Sequence, residues 1–336
     1  MLSQLAVVLA LIAQPQDLLL HLPLDGSVQP TVGGGVPEVE GTAQFQPGRV
    51  GQALVVGDGA AQLVLKREGN VQTDAGSVAL WVKPLDWSGN DDKFHVFFEA
   101  KDPGWLLVYK YLDPDTGLLL LMSDNIAEHG WQVIRRPIKD WKPGEWHHVV
   151  ATWDRTAAML YVDGVAATPL IRPPVPSIAT DVFYIGDRPW HVERKALSLI
   201  DEIYIFERPI EAQEVAALHT AGAAGKTPAF PLAELVPLRV ELRPEAWRQR
   251  WVVSANMAGL ASEDRRAAKI EARLFRPDGS EAWVGNLQAV TGHLAGAELP
   301  LELKPAGLWK LEAWVSVGQR VLGRAEATAD MPDTSW

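Results

Sequence analysis

The sequence predicts an all-β protein built from two antiparallel β-sandwiches. Short apolar runs recur along most of the chain, and clusters of Pro, Asp and Gly separate them. One segment has the pattern of a helix, and it lies between the two sets of strands. Short strands at this spacing, without intervening helices, are typical of antiparallel sandwiches. The 336 residues and the 47% hydrophobic content allow one large and one smaller domain, each with its own core.

Residues 1–16 resemble a signal peptide. An apolar run extends from Leu5 to Ala13, which is too short to span a bilayer. The residues before it lack Lys and Arg, so the alternative is a buried first strand. No second long apolar run occurs. We therefore expect export to the periplasm, the cell surface or the medium, cleavage near Ala13, and no membrane span.

The first predicted domain covers residues 17–222. Its strands are predicted at 17–27, 76–85, 95–100, 105–112, 117–123, 144–154, 158–170, 181–187 and 198–207. The turn sequences "KDPG" and "DPDTG" separate three of these strands. Asp163-Gly164 between apolar flanks is a strong hairpin signal.

A helix, a linker and a second domain follow. The helix is predicted over 208–222, because Pro209 suits a first turn and Gly222 a C-cap. Ala, Gly and Pro dominate 223–237, which reads as a linker. Strands resume at 238–245, 250–259, 267–283, 297–303 and 307–329, with a hairpin tip at Asp278-Gly279. About seven strands within 238–330 predict an Ig-like or fibronectin-III-like sandwich.

The doublet His147-His148 in "GEWHHVVATWD" (144–154) raises the question of a metal or catalytic site. Neighbouring side chains of a strand point to opposite faces, so the two imidazoles cannot easily share one ion. Trp146, His148 and Val150 share one face, and His147 and Val149 share the other. Both faces are largely apolar. We therefore expect a scaffold strand whose histidines are buried and hydrogen-bonded.

Several segments resemble the laminin-G-like domains of the concanavalin A-like lectin/glucanase superfamily. The strand pair "PGEWHHVVATWD" and "LYVDG" resembles the family's signature hairpin. In matching order the chain also carries "LPLDGS", "GRVGQALVVGDG", "GSVALWVKP" and a closing "YIGDR…LIDEIYIFERPIEAQEVAAL". The resemblance covers about 17–222 and implies a jelly-roll β-sandwich. It does not extend to the second domain, where only the general sandwich pattern applies.

The resemblance also implies a structural calcium ion near the junction of the first and last strands. The matching positions are Asp25, a carbonyl near Gly51 or Gln52, and Asp201. Hard oxygen ligands of this kind suit Ca²⁺. The alternative is that Asp25 starts a turn with Gly26 and that Asp201 accepts hydrogen bonds from a neighbouring loop.

Three loops are candidates for ligand binding, because they combine Trp with Asp, Asn or Arg. Aromatic rings can stack on sugars while the polar groups bind hydroxyls. The candidate residues are Trp87 in 86–95, Asp124 and Asn125 in 123–131, and Asp187, Arg188 and Trp190 in 186–196. The alternative is solvated loops whose tryptophans fold back onto the sandwich, which we expect for Trp131.

Composition and motifs exclude several functions. The net charge of −11 argues against nucleic-acid binding, and the lack of cysteine excludes disulfides and thiolate sites. Neither a Glu-x-Asp-x-Glu strand nor a G-x-S-x-G elbow occurs. In "DEIYIFE", strict alternation puts Asp201 on the face opposite Glu202. We therefore expect no catalytic residues.

The sequence favours an exported, non-catalytic protein that binds carbohydrate or another extracellular ligand. One alternative is a structural or adhesion module of the cell surface, with self-association. The other is a divergent glycoside hydrolase or polysaccharide lyase.

Overall fold

The computed structural model describes residues 17–112, 116–186, 195–233, 235–245, 248–300 and 306–331. The predicted signal segment therefore lies outside the described residues. The strands before the first helix are β1 (Leu18–Leu22), β2 (Val32–Gly33), β3 (Glu38–Glu40), β4 (Phe45–Pro47), β5 (Gln52–Gly57), β6 (Gln62–Lys66), β7 (Ala75–Pro84), β8 (His95–Lys101), β9 (Trp105–Leu112), β10 (Thr116–Ser123), β11 (Gln132–Pro137), β12 (His147–Asp154), β13 (Ala157–Val162), β14 (Val165–Ala166), β15 (Leu170–Ile171), β16 (Val182–Ile185) and β17 (Leu197–Phe206). The remaining elements are α1 (Ala212–Ala223), β18 (Arg239–Glu245), β19 (Arg250–Asn256), α2 (Ser262–Ala267), β20 (Lys269–Phe275), β21 (Glu281–Ala289), β22 (Leu294–Pro300), β23 (Gly307–Val317) and β24 (Arg320–Met331).

Two antiparallel sheets pack face to face in the first domain. The first sheet has the order β14-β13-β12-β7-β17-β1-β2, with β15 beside β13 and the pair β4-β5 beside β17. The second sheet has the order β11-β10-β9-β8-β16-β6-β3. Fully buried side chains such as Leu54, Phe97, Phe98 and Trp153 fill the space between them. The predicted all-β class and antiparallel jelly-roll sandwich are confirmed.

Helix α1 covers part of the outer face of the first sheet. Its Val215 and Leu218 pack with Tyr161, Tyr204 and Phe206, which point away from the space between the sheets. Glu211 is the N-cap and has extended backbone angles (φ −80°, ψ 161°). The helix therefore begins four residues later than predicted, because the chain up to Glu211 is still extended.

The second domain is one continuous antiparallel sheet of seven strands. The order is β18-β19-β22-β21-β20-β23-β24, and β18 lies against β24, so the sheet closes like a barrel. Strand β21 joins the two parts of this sheet, because it pairs with β20 up to Leu287 and with β22 at Gln288 and Ala289. Trp251 and Trp309 lie in the enclosed core. The predicted number of strands is found, whereas the Ig-like sandwich is not confirmed.

Candidate functional site

The histidine doublet is part of the scaffold. His147 stacks flat on Trp141, with ring centroids 4.0 Å apart, and its Nδ1 lies 2.9 Å from Asp163 Oδ2. His148 points to the other face, where it packs against Trp81. Burial, with the nearby charge of His219, lowers the pKa of His148 to about 3. The described residues contain no cluster of three His, Asp or Glu side chains that could hold a metal ion.

Asp163 holds the β12–β13 hairpin together. It has the positive φ (50°) that the Asp-Gly turn requires. Its Oδ1 accepts a 2.8 Å hydrogen bond from the backbone N–H of His148. The structure therefore confirms that this carboxylate is a turn residue, and it adds that Asp163 orients the His147 ring.

The outer face of the second sheet carries a cluster of aromatic and aliphatic side chains. Along β9, Leu106 and Val108 enter the core, whereas Leu107 and Tyr109 point outward. This outward group, which we call the aromatic face, consists of Phe94, Val96, Trp105, Leu107, Tyr109, Tyr111, Leu119 and Leu121. Six of these eight side chains are buried, whereas Trp105 and Tyr111 are partly exposed. The candidate site is therefore the end of the aromatic face that carries Trp105.

One end of the aromatic face bears an exposed tryptophan. Trp131 is 69% exposed, and its ring centroid is 6.3 Å from that of the half-buried Trp105. The ring of Trp105 is in turn 5.3 Å from Lys101 Nζ. We expected Trp131 to fold back onto the sandwich, and that expectation is wrong. Trp131 lies one residue before β11, whose pairing with β10 begins at Gln132, so the tryptophan itself is outside the ladder.

The loop that leads to Trp131 is held by its own hydrogen bonds. Asp124 Oδ2 lies 2.6 Å from His129 Nδ1, and Asp124 Oδ1 accepts a bond from the N–H of Ile126. The hydrogen bond from His129 lowers the pKa of the Asp124 carboxyl, which is therefore ionised at neutral pH. Asn125 has a φ of 65°. We call residues 123–131 the Trp131 loop; it combines an exposed ring with a carboxylate and an amide.

The other predicted ligand-binding residues have different outcomes. Trp87 is 1% exposed, and its Nε1 donates a 2.9 Å hydrogen bond to Ser198 Oγ. Its proposed ligand contact is therefore a wrong prediction, because the indole fills the core and its polar atom is already bonded. Asp187, Arg188 and Trp190 lie outside the described residues.

A buried lysine fixes the loop that contains Trp87. Lys110 is fully buried, and its Nζ donates to the Asp91 carbonyl and carboxylate at 2.9 and 2.7 Å. Burial alone would raise the pKa of Asp91, but the hydrogen bond from Lys110 and backbone N–H donors lowers it. This ion pair anchors residues 86–95 to the second sheet, so the loop acts as scaffold.

The three residues predicted for calcium meet at the turn 48–52. Asp201 Oδ2 accepts hydrogen bonds from the N–H groups of Arg49 and Val50, at 2.6 and 2.9 Å. Asp25 Oδ1 accepts one from Gln52 at 2.7 Å. The Gly51 carbonyl accepts one from Gly48. Hard oxygens of the kind calcium prefers are thus gathered here, and the same oxygens cap the turn, as the alternative predicts.

A bulge in β17 changes the expected arrangement of the acidic residues. The register shifts between Asp201, which pairs with Trp81, and Tyr204, which pairs with Ala79. Glu202 fills the bulge with a φ of 48°, and the Tyr204 hydroxyl donates to its carboxylate. Strict alternation is therefore broken here, and the two carboxylates bind different groups: Asp201 the turn 48–52, and Glu202 the Tyr204 hydroxyl. Burial, with the charge of Glu202, raises the pKa of Asp201 to about 7.

Residues 57–216 match the family model described as the concanavalin A-like lectin/glucanases superfamily. This match covers slightly less than half of the chain. No curated protein matches the sequence. Neither helix in the described part of the chain has the length and hydrophobicity that crossing a bilayer requires.

Among solved structures, the chain is similar to domain 4 of AbnA, a GH43 extracellular arabinanase from Geobacillus stearothermophilus, in complex with arabinotriose. The two are 25% identical with a TM-score of 0.50, and the alignment covers 61% of this chain and 100% of that one. A crystal structure described as HCR/D-Sa-GBL1/C is 14% identical with a TM-score of 0.50, covering 91% and 73% of the two chains. At that identity the likeness shows the fold alone.

A third similar structure is the binding domain of botulinum neurotoxin DC in complex with rat synaptotagmin II. It is 14% identical with a TM-score of 0.48, and the alignment covers 91% of this chain and 72% of that one. The family description names lectins and glucanases together, so it does not distinguish binding from hydrolysis. Residues 57–216 are therefore similar to a domain of that superfamily, and the observed jelly roll agrees with the match.

Proposed function

We propose that this protein is an exported, non-catalytic binding protein that recognises carbohydrate at the Trp131 loop. The exposed ring of Trp131 beside Trp105 is the observation that carries the proposal. The indole of Trp131 is exposed over two thirds of its surface, so a bound ligand would remove apolar surface from water there. Apolar sugar faces pack on such rings. The similar AbnA domain, which binds arabinotriose, supports this choice of ligand class.

The polar groups of the loop would select the sugar. The ionised Asp124 carboxylate accepts hydrogen bonds from hydroxyl groups, and the Asn125 amide can donate and accept. Because His129 already holds Asp124, the carboxylate is oriented before a ligand arrives. Binding then costs less side-chain entropy than it would with a free carboxylate.

The test is a titration of the purified chain with arabino-oligosaccharides and then with a wider glycan panel, using calorimetry. We expect Trp131→Ala to weaken the affinity of the bound glycan by roughly tenfold or more, as removal of a central aromatic contact does. Trp314→Ala is the matched control, because Trp314 is a half-buried tryptophan on the second domain. Equal affinity for the wild type and Trp131→Ala would contradict the proposed site.

The same panel separates the alternative functions. Self-association with no glycan bound would favour the structural or adhesion module. Release of reducing sugar or of unsaturated uronate would establish a glycoside hydrolase or polysaccharide lyase. Asp201 and Glu202 would then be the first carboxylates to replace, because both lie at the bulge of β17.

A structural calcium ion at the turn 48–52 is a further part of this proposal. Asp201 is fully buried, and burial raises the pKa of its carboxyl to about 7 although backbone N–H groups bond to it. A divalent cation held by Asp25, the Gly51 carbonyl and Asp201 would compensate the charge of that carboxylate. Its effect would be to fix the ends of β1, β5 and β17, with no part in a reaction.

A further inference from the structure

A groove of about 1080 Å³ lies between the two domains. Arg155, Thr156, Ile171 and Arg172 of the first domain form one side. The outer face of β18, β19 and β22 forms the other side and the floor. Pockets for small molecules usually measure about 300–1,000 Å³, so this groove is at the upper end of that range.

Arginine is concentrated in this groove. Five arginines line it: Arg155, Arg172, Arg239, Arg243 and Arg248. Three glutamates accompany them, namely Glu241, Glu245 and Glu298. The lining is thus net positive, whereas the whole chain carries a net charge of −11. A positive patch on an acidic protein acts locally, because salt screens charges beyond about 8 Å.

The two arginines of the first domain face the groove with little compensation. Arg155 has half of its side chain exposed, and the carboxylate of Asp74 lies 3.9 Å from its guanidinium group. Arg172 is exposed with a φ of 53°, and its backbone N–H bonds to the Thr156 carbonyl. Strand pairing of Ala157 with Ile171 sets these two arginines next to each other on the rim.

The second-domain side of the groove carries three arginines and three glutamates, so the positive excess of the lining comes from Arg155 and Arg172. Glu245 is the carboxylate that Arg243 and Arg248 approach, at 3.2 and 3.9 Å. A third arginine, Arg250, binds the same carboxylate at 2.8 Å. Arg250 also binds Glu298, so these ion pairs hold several guanidinium groups in place along this side of the groove.

The floor between the rims combines apolar and polar groups, because Val252 and Leu294 line it together with Ser254 and Asn256. Ser254 of β19 pairs with Gly296 of β22, and Asn256 lies two residues along the same strand. Gly296 has no side chain, so a ligand can approach the backbone, and Ser254 and Asn256 offer hydrogen-bonding groups. No aromatic side chain is among the described lining residues. Recognition here would rest on charge and hydrogen bonds rather than on ring stacking.

We propose that the inter-domain groove binds an anionic saccharide chain, one that carries carboxylate or sulfate groups. Guanidinium groups bind both anions with paired hydrogen bonds, so the arginines define the shared chemistry. The choice of a saccharide over an acidic peptide rests on the proposed carbohydrate-binding function. The groove is separate from the Trp131 loop and contains none of its residues.

The test uses the full chain and four probes: oligogalacturonate, a sulfated dextran oligomer, neutral dextran and oligoglutamate. Affinity is measured by calorimetry at low and at physiological salt. We expect one or both anionic saccharides to bind, neutral dextran not to bind, and added salt to weaken binding. Arg155→Ala/Arg172→Ala should reduce affinity by roughly tenfold, the effect of two partly exposed charge contacts.

Arg320→Ala/Arg324→Ala is the matched control, because it removes the same charge from exposed positions outside the groove. We expect less than about a twofold change there, as for surface charges far from the ligand. Equal losses in both double variants, or none in the groove variant, would overturn the proposal. So would oligoglutamate binding as well as the saccharides, or no binding of any anionic probe. Trp131→Ala should leave the groove affinity unchanged, which separates failure here from failure of the Trp131 site.

Discussion

At the residue scale, burial lowers the pKa values of two histidines of the first domain, His95 and His148. Burial, with the positive charge of Lys110, lowers the pKa of His95 to about 3, and burial with the charge of His219 does the same for His148. Both rings are therefore neutral in the folded protein throughout the physiological range. In the unfolded chain each would have the ordinary histidine pKa of about 6.5.

This difference predicts a loss of stability in acid. Between pH 6.5 and 3 the unfolded state binds protons that the folded state refuses, so the free energy of unfolding falls as the pH falls, by up to a few kcal/mol for each ring. Above about pH 6.5 these histidines contribute no pH dependence. Urea unfolding from pH 8 to pH 4.5 should show a shallower slope for His148→Asn than for the wild type. A change in packing alone would shift the free energy of unfolding equally at every pH. Identical slopes in the wild type and His148→Asn would therefore contradict the assignment of the acid sensitivity to His148.

Sequence patterns identified residues whose role is local and missed those whose role depends on packing. The role of Asp163 followed from its Asp-Gly turn and needed no knowledge of the rest of the fold. Trp87 and Trp131 both occur in polar loops, yet one is buried and the other exposed. Only the tertiary path of each loop decides this, since Lys110 anchors the first loop and Asp124 orders the second.

At the scale of elements, alternation and turn residues predicted the long strands well. The hairpin at Asp278-Gly279 forms between β20 and β21 as expected. The short strands β2, β3 and β4 and the helix α2 were not predicted, because two to six residues carry too little periodicity. The closed sheet of the second domain was also beyond reach, since it depends on the change of partner along β21.

The turn 48–52 is the element on which the calcium proposal can be tested. An ion bound only by the folded state stabilises it, by about 2.7 kcal/mol when free calcium is 100-fold above its dissociation constant. We expect a chelator to lower the melting temperature of the first domain by several degrees. The increment should grow as the pH rises through about 7, because calcium favours the ionised carboxylate of Asp201.

The variant Asp25→Ala provides the comparison for that measurement. Asp25 is one of the proposed calcium ligands, so its removal should abolish most of the calcium-dependent rise in melting temperature. Because Asp25 is exposed, the chelated variant should melt almost as the chelated wild type does. If the melting temperature ignores both the chelator and this substitution, the turn is held by hydrogen bonds alone and the calcium proposal fails.

At the scale of the whole molecule, a buried ion cluster joins the two domains. Arg265 of α2 bonds to Asp17 and to Glu207, each at 2.5 Å, and these acids precede β1 and follow β17. Arg208 binds the same Asp17 at 2.9 Å and Glu214 of α1 at 2.8 Å. Burial alone would raise the pKa of Asp17, but Arg265 and Arg208 hold it below its usual value. The cluster therefore stays charged over most of the pH range.

This geometry predicts that Arg265 couples the folding of the two domains. Arg265→Ala removes the guanidinium group that binds both Asp17 and Glu207, and it leaves Asp17 with Arg208 alone. Breaking a buried pair in this way costs about 3–5 kcal/mol. We expect scanning calorimetry to show one coupled transition in the wild type and two separate transitions in the variant. Arg266→Ala is the control, because this exposed neighbour on α2 donates a hydrogen bond to Ser262 of the same helix. The groove between the domains needs the same fixed orientation, so Arg265→Ala should also weaken binding of an anionic saccharide there. A single unchanged transition in Arg265→Ala would show that the domains are held by other contacts.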